Sequence, residues 1–148
     1  MKFTYTHKTL GAHKILGTLL FSSLFSLNAT AHELVLQVDQ ITKTKGVMMI
    51  ALYNSADNYK SDKNVFSGQK IAVTKDTLVV NFGDVPAGDY AIKLYQDENE
   101  NGVIDKNTIG MPTEGYGFSN NGGTMGQPSF DEAKFSVTDK TVMTIHLR

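Results

Sequence analysis

The chain has 148 residues, of which 41% are hydrophobic and 20% are charged, and its net charge is −1 at neutral pH. It contains no cysteine, which excludes disulfide bonds, lipid attachment through cysteine and a cysteine nucleophile. A domain of this size without cysteine must be stable through packing alone, or through packing and a metal ion.

The first 31 residues have the pattern of a secretory signal peptide. Three lysines make this stretch basic, residues 15–27 form an apolar run, and residues 29–31 place alanines at the −3 and −1 positions of a cleavage site. The apolar run is short for a membrane span, so cleavage after Ala31 is favoured over an uncleaved anchor. We therefore predict a periplasmic or secreted protein whose mature domain is residues 32–148.

The predicted mature domain is acidic. Cleavage removes three lysines and leaves eleven Lys and Arg residues against fifteen Asp and Glu residues, a net charge of −4. The domain has no basic run or patch, which argues against nucleic acid and anionic membrane surfaces as partners. We also expect no membrane span in the mature chain, because no apolar run there is long enough.

The first half of the mature domain has the pattern of short strands. Residues 34–38 alternate apolar and polar side chains, as in a strand with one buried face. Residues 47–53 are apolar on both faces, which predicts a central strand. Residues 71–74 and 77–82 predict two short strands, and the Lys75-Asp76 pair between them predicts a hairpin.

The second half continues the same pattern. Residues 83–88 have turn chemistry, and residues 89–96 alternate as a further strand. An acidic loop follows, then a Gly-, Asn- and Ser-rich stretch at 109–126 with little periodicity. Residues 134–137 and 142–147 predict the last two strands. No window shows a helical stripe, so we predict an all-β fold, an antiparallel β-sandwich of about seven strands resembling transthyretin or immunoglobulin domains.

The acidic loop, residues 97–105, has the spacing of a calcium-binding loop. The predicted ligands are the side-chain oxygens at positions 1, 3, 5 and 9 and the backbone carbonyl at position 7: Asp97, Asn99, Asn101, Asp105 and Val103. Gly102 at position 6 permits the sharp turn. Position 12, where a glutamate closes a strong site, is Thr108, so we predict weak binding, with a Kd of ~10⁻⁴–10⁻³ M. The alternative is a metal-free turn, since tight turns use the same residue types.

The stretch after this loop combines glycines with aromatic and polar side chains. Flat rings beside amide and carboxylate groups suit a saccharide or peptide, and the candidate ligand-binding residues are Glu114, Tyr116, Phe118 and Asn120. The alternative is that the rings pin a long loop onto the sandwich. We expect calcium in the acidic loop to order this stretch, and Glu114 to be an outside ligand if the chain doubles back.

Four motifs in this order resemble one bacterial family. They are residues 85–92 (Val-Pro-Ala-Gly-Asp-Tyr-Ala-Ile), 95–102, 110–120 and 128–133. Together they resemble the exported family called domain of unknown function 2141, over essentially the whole mature chain. The resemblance implies an exported single-domain β-sandwich and assigns no activity. The Pro-Ala-Gly-Asp-Tyr turn also resembles transthyretin-like modules, which mostly bind or space rather than catalyse.

Motifs for catalysis are sparse, so we expect a non-enzymatic binding or structural module whose partner is a saccharide, a peptide or an envelope protein.

An alternative function is copper binding. Cleavage after Ala31 would make His32 the N-terminal residue, and an N-terminal histidine can bind copper together with a second histidine, His146. The alternative is an exposed His146 on the last strand. A third reading is a small hydrolase that uses Glu114 with Asp97.

Overall fold

A computed structural model describes residues 31–148, so the predicted signal peptide lies outside the described residues except for Ala31. In this range the strands are β1 (Ala31–Asp39), β2 (Val47–Tyr53), β3 (Ser67–Ala72), β4 (Leu78–Pro86), β5 (Gly88–Asp97), β6 (Tyr116–Phe118), β7 (Phe135–Val137) and β8 (Thr141–His146). Two short helices are α1 (Ala56–Ser61) and α2 (Phe130–Ala133), and a 3-10 turn spans Ser119–Asn121. The all-β prediction is confirmed.

The strands form two sheets. One has the order β4-β1-β8, and the other has the order β3-β2-β5-β6, with β7 also paired to β5. Eight strands replace the seven that we predicted. The pairing of β1 with β8 is parallel, whereas the other strand pairings are antiparallel. β1 and β8 are far apart in the chain, so no short hairpin forces them to run in opposite directions.

Alternating side chains of both sheets form the core. Its members include aliphatic residues and a methionine that are each at most 4% exposed: Leu34, Leu36, Val38, Met48, Ile50, Leu52, Ile92, Leu94 and Ile145. β2 lies between β3 and β5, as its apolar pattern predicted. Because side chains alternate along a strand, the other residues of β2 and β5 face away from this core.

The predicted hairpin around Lys75-Asp76 is wrong. β3 pairs with β2 in one sheet, whereas β4 pairs with β1 in the other. The link between them crosses from sheet to sheet, and the buried Val73 holds it by donating its N–H to the Gly46 carbonyl at 3.0 Å. Polar turn residues suit a crossing as well as a hairpin, so local turn chemistry could not distinguish them.

A second crossing joins β4 to β5 through the single residue Ala87. The Tyr90 hydroxyl donates a hydrogen bond to the Pro86 carbonyl at 2.8 Å, and the Tyr90 ring packs edge-on against Phe66 with centroids 5.3 Å apart. This bond from a tyrosine to backbone a few residues upstream resembles the tyrosine corner of β-sandwiches. The predicted turn at 83–88 is therefore much shorter than its sequence suggests.

The two helices cover one end of the outer face of the five-stranded sheet. Ser55 caps α1, and Ser129 and Glu132 form a capping box on α2. Together the helices bury a second apolar cluster of Tyr53, Tyr59, Ala91 and Ala133. They have six and four residues, which is too short to display an apolar stripe, and this is why they were not predicted. Within residues 31–148, no helix is long and apolar enough to cross a membrane.

Candidate functional site

The acidic loop begins at the last residue of β5. The Asp97 carboxylate is fully buried, and its two oxygens accept the backbone N–H groups of Asn101 at 3.0 Å and Gly102 at 2.8 Å. Gly102 has a φ of +84°, in the left-handed region that glycine tolerates best. The loop is thus tight, and its first residue satisfies backbone donors at its fifth and sixth positions.

Three other predicted ligands meet across this loop. The side-chain amide groups of Asn99 and Asn101 donate to the two carboxylate oxygens of Asp105, at 2.7 Å and 3.0 Å. The Asn101 amide oxygen accepts the N–H of Val103 at 2.9 Å. Both carboxylate oxygens of Asp105 therefore accept hydrogen bonds from side-chain amides.

The loop fits an oxygen-ligated cation in part. At the predicted ligand positions it supplies only two carboxylates, Asp97 and Asp105, and nowhere in residues 31–148 are three or more His, Cys, Asp or Glu side chains grouped to hold a metal ion. For a calcium ion, Asn99 and Asn101 would have to turn amide oxygens rather than NH₂ groups toward Asp105, because calcium takes only oxygen ligands. Val103 would contribute only its backbone carbonyl.

Glu114 turns back onto the acidic loop. Its two carboxylate oxygens accept the N–H groups of Glu98 and Asp105, both at 2.8 Å, and the residue is 7% exposed. The chain therefore doubles back, as the prediction of an outside ligand required, and the carboxylate bridges the two ends of the loop through backbone N–H groups. Glu114 borders a small groove of about 250 Å³ whose lining does not include Asp97, and the hydrolase hypothesis stays untested.

Residues 105–113 form a small hairpin, which we call the wall hairpin. Lys106 pairs with Pro112, and the N–H of Thr113 donates to the Asp105 carbonyl at 2.9 Å. The hairpin starts at the last predicted calcium ligand and ends next to the carboxylate that bridges the loop. Both of its ends are therefore rooted in the acidic loop.

Glu98 is the one acid of the loop that forms ion pairs. Its carboxylate lies 2.8 Å from the Lys43 ammonium and 3.1 Å from that of Lys45, and its side chain is only 11% exposed. Burial raises the pKa of Glu98, but hydrogen bonds from the two lysines outweigh this effect and hold the pKa below its ordinary value. Gln96 supports this arrangement by donating to the Lys43 and Lys45 carbonyls at 2.6 Å and 2.8 Å.

The stretch that was predicted to be an aperiodic loop contains a strand, β6. A Cβ at Gly117 would lie 2.6 Å from the Ile145 Cγ2 atom, so glycine is needed for close approach to β8. The neighbouring rings of Tyr116 and Phe118 lie on the opposite face, with centroids 6.0 Å apart. Backbone bonds of 2.9 Å and 3.0 Å between Tyr116 and Arg148 also link the two sheets at this point.

The residues after β6 connect it to its neighbours through side chains. The buried Ser119 hydroxyl accepts the N–H of Ile92 at 2.9 Å and donates to the Ala133 carbonyl at 2.5 Å. The Asn120 amide donates to the Lys134 carbonyl at 2.8 Å. Sheet pairing and these bonds hold residues 116–121. Residues 109–113, at the start of the same stretch, belong to the wall hairpin, and the ordering of the stretch by calcium stays a prediction. What the acidic loop holds is the wall hairpin.

An open groove of about 920 Å³ lies on the outer face of the five-stranded sheet, beside the helices. Side chains of β2, β5 and β6 line it: Met49, Ala51, Tyr53, Lys93, Tyr95, Tyr116 and Phe118. The wall hairpin borders it through Lys106, Met111 and Pro112, and residues 124–127 border it at another side. Of the four candidate ligand-binding residues, Tyr116 and Phe118 line the groove, whereas Glu114 and Asn120 do not.

The other groove residues were missed because they lie far apart in the sequence. The outward-facing positions of β2 and β5 carry apolar or aromatic side chains, such as Met49 and Tyr95, although they lie outside the core. An apolar second face on two central strands is a signal that something covers it. The sequence did not indicate that helices cover only one end of that face.

The two histidines of the copper hypothesis are not brought together. His146 pairs with Asp39 at the end of β1, and its Nδ1 atom lies 2.5 Å from the Asp39 carboxylate. His32 lies near the start of β1, where it pairs with Val85. Seven residues of strand separate the two positions, roughly 23 Å at ~3.3 Å per residue. They cannot bind one copper ion in this arrangement.

Comparison with known proteins agrees with the motifs. No protein of curated function and no solved structure matches this chain. The sequence model of one family matches residues 36–145, a range that starts within β1 and ends within β8 and so includes the acidic loop, the wall hairpin and the groove-lining strands. The chain therefore belongs to the family described as uncharacterized protein conserved in bacteria (DUF2141).

Proposed function

We propose that this protein is an exported, non-enzymatic binding module, that the groove is its ligand surface, and that weak calcium binding in the acidic loop stabilises one side of that groove. The partner is a saccharide, a peptide or another component of the envelope. The observation that carries the proposal is the wall hairpin, which borders the groove and is rooted at both ends in the acidic loop.

The groove supports a binding role by its size and lining. Ligand pockets are concave, are lined mainly by apolar and aromatic side chains, and have volumes of ~300–1,000 Å³. The groove has these properties at about 920 Å³. The buried acids Asp97 and Glu114 do not line the groove, and each accepts two backbone N–H groups. A carboxylate used in this way is poorly placed for acid–base catalysis, which supports a non-enzymatic role.

Calcium would act by reducing the opening of the wall hairpin. An ion that binds only the closed loop stabilises it by RT ln(1 + [L]/Kd), about 1.4 kcal/mol at tenfold excess over Kd. The two amide donors on Asp105 would be replaced by an ion that attracts Asp97 and Asp105 together. Because the hairpin starts at Asp105, its fluctuations should decrease with those of the loop.

A thermal melt with calcium and with chelator tests the calcium part. We expect about 5 °C of stabilisation at tenfold excess of calcium over Kd. The Tyr95 hydroxyl donates to the Gly102 carbonyl at 2.9 Å, so this ring should also sensitise terbium luminescence in the loop. Asp105→Asn should abolish both signals, whereas Asp84→Asn, a matched change on β4, should leave them intact. An equal melting temperature with and without ~10 mM calcium, which is tenfold above the weakest predicted Kd, would contradict the calcium part.

A further inference from the structure

The lining of the groove is mostly apolar and adaptable. Three methionines from separate segments border it, Met49, Met111 and Met125, and Met125 is fully exposed. Methionine side chains are flexible and polarizable, so they fit apolar ligands of varied shape. The rings of Tyr116 and Phe118 add flat apolar area. A strongly polar ligand would leave this surface unused. Among the proposed partners, the groove therefore favours one with an alkyl or aromatic body over a saccharide.

The groove carries a net positive charge, although the protein as a whole carries a net negative charge. The lining includes three lysines and a single acid, Asp62. Lys93 is paired with Asp62 at 2.5 Å and lies over the Tyr59 ring at 4.2 Å, so this charge is already balanced. In the part of the chain that the structure describes, Lys70 and Lys106 form no ion pair. Two lysines therefore leave a net positive charge in the groove.

From these two observations we propose that the groove binds a small amphipathic anion, a ligand with an apolar body and a carboxylate head group, and that Lys70 and Lys106 select the anionic head. Lys70 lies on β3 and Lys106 on the wall hairpin, so both contribute to the groove from elements other than its central strands β2 and β5. This inference rests on the proposed binding role of the groove and is independent of calcium binding.

The test uses residues 32–148 and the fluorescent anion 8-anilinonaphthalene-1-sulfonate as the reporter. Dodecanoate and dodecyltrimethylammonium, which share a chain length and differ in charge, are titrated as competitors below their micellar concentrations. We expect dodecanoate to displace the reporter at roughly tenfold lower concentration, a difference expected of a complementary charge. The titrations are made in ~0.15 M salt, where charges more than ~8 Å away are screened.

Variants with matched charge changes locate the effect. The double variant Lys70→Gln and Lys106→Gln should reduce the preference for dodecanoate to less than about threefold, because the anionic head loses both cations. Lys60→Gln with Lys75→Gln removes the same charge outside the groove and should keep the preference. Met125→Glu, at a fully exposed groove position, should weaken dodecanoate binding, whereas Val79→Glu on β4 should not.

The outcomes separate the two proposals. If no reporter binds, or if neither dodecanoate nor dodecyltrimethylammonium displaces it, the groove does not bind amphipathic ligands and the proposal of an amphipathic anion fails. If both chains displace it equally, or if Lys60→Gln with Lys75→Gln has the same effect as the groove pair, the selection of anions is wrong while the groove remains a binding site. Circular dichroism of each variant checks that the fold is retained.

Discussion

At the scale of single residues, the acidic side chains of the loop act first on the backbone. Asp97 and Glu114 each accept two N–H groups, and Asp105 accepts two side-chain amides. A loop of nine residues that turns sharply leaves many backbone donors without partners, and buried donors must be satisfied. The same spacing of acids that suits a cation therefore also builds the loop, and the two roles are not exclusive.

Asp97 should be essential for the loop and for stability. We expect Asp97→Ala to lower the free energy of unfolding by about 1–3 kcal/mol, because the N–H groups of Asn101 and Gly102 lose their acceptor in a buried position. Asp97→Asn keeps one acceptor and should cost less. Urea denaturation measures both, with Asp84→Ala as the control. A loss below ~0.5 kcal/mol for Asp97→Ala would show that water satisfies these groups equally well.

Glu98 should make stability depend on pH. Its pKa in the folded protein lies below the ordinary value of 4.5, so its ion pairs favour folding above that value and lose this effect as pH falls through the folded-state pKa. We expect Glu98→Gln to lower the free energy of unfolding at pH 7 by about 0.5 kcal/mol, since both lysine partners are more than half exposed and such ion pairs contribute little. Melting curves between pH 3 and 7 should converge as pH falls from 4.5 through the lowered folded-state pKa of Glu98. Glu100→Gln is the control, and a gap that persists at low pH would contradict this explanation.

At the scale of elements, β6 and the residues after it determine how the sheets meet. Asn121 acts like a peptide unit at the free edge of β8, because its side-chain oxygen accepts the His146 N–H at 2.8 Å and its NH₂ group donates to the Thr144 carbonyl at 3.3 Å. An unpaired strand edge promotes aggregation, and a side chain that occupies its hydrogen-bonding groups protects it. The glycines before it allow β6 to approach β8 closely.

Gly117 should therefore not tolerate a side chain. We expect Gly117→Ala to lower the free energy of unfolding by about 1–3 kcal/mol, because its Cβ would overlap the Ile145 side chain. Gly68→Ala on β3 is the control, since a Cβ there would meet no atom closer than 3.9 Å. Chemical denaturation measures both. In a double-mutant cycle, Ile145→Ala should offset part of the Gly117→Ala loss, and simple additivity would contradict the contact.

At the scale of the whole molecule, the outer face of the five-stranded sheet has a part that the helices cover and a part that stays open. The helices cover the end around Tyr59 and Ala91 and leave the end around Tyr95 and Tyr116 as the groove, with Tyr53 at the boundary between them. The wall hairpin belongs to the uncovered end and is joined to the rest mainly through the acidic loop. We expect such an element to open more readily than the sheets, which is the property that a bound ion or ligand can change.

The predicted signal peptide should be removed on export. Intact mass of the protein recovered from the periplasm or the medium should correspond to residues 32–148, because Ala29 and Ala31 present small side chains to the cleavage site. Substituting Ala31 with a bulky residue should retain the precursor, with Ala56 as a control position in the mature domain. A full-length protein in the cytoplasm would contradict the export proposal.

The sequence by itself determined those properties that depend on neighbours in the chain. Period-2 alternation in β1, β2 and β5 identified strands and their core faces, because side-chain direction along a strand is a local property. The spacing of Asp97 to Asp105 identified the acidic loop for the same reason. The ordered motifs from residue 85 to residue 133 also led to the correct family.

Only the tertiary structure decided which distant residues meet. It placed β3 and β4 in different sheets, brought Glu114 back to the loop, separated His32 from His146, and joined the wall hairpin to β2, β5 and β6 around one groove. Each of these outcomes depends on contacts between segments tens of residues apart, where the balance of packing and hydrogen bonding is set by the whole core. Local pattern carries no information about that balance, and this is why the loop was found from sequence and the groove was not.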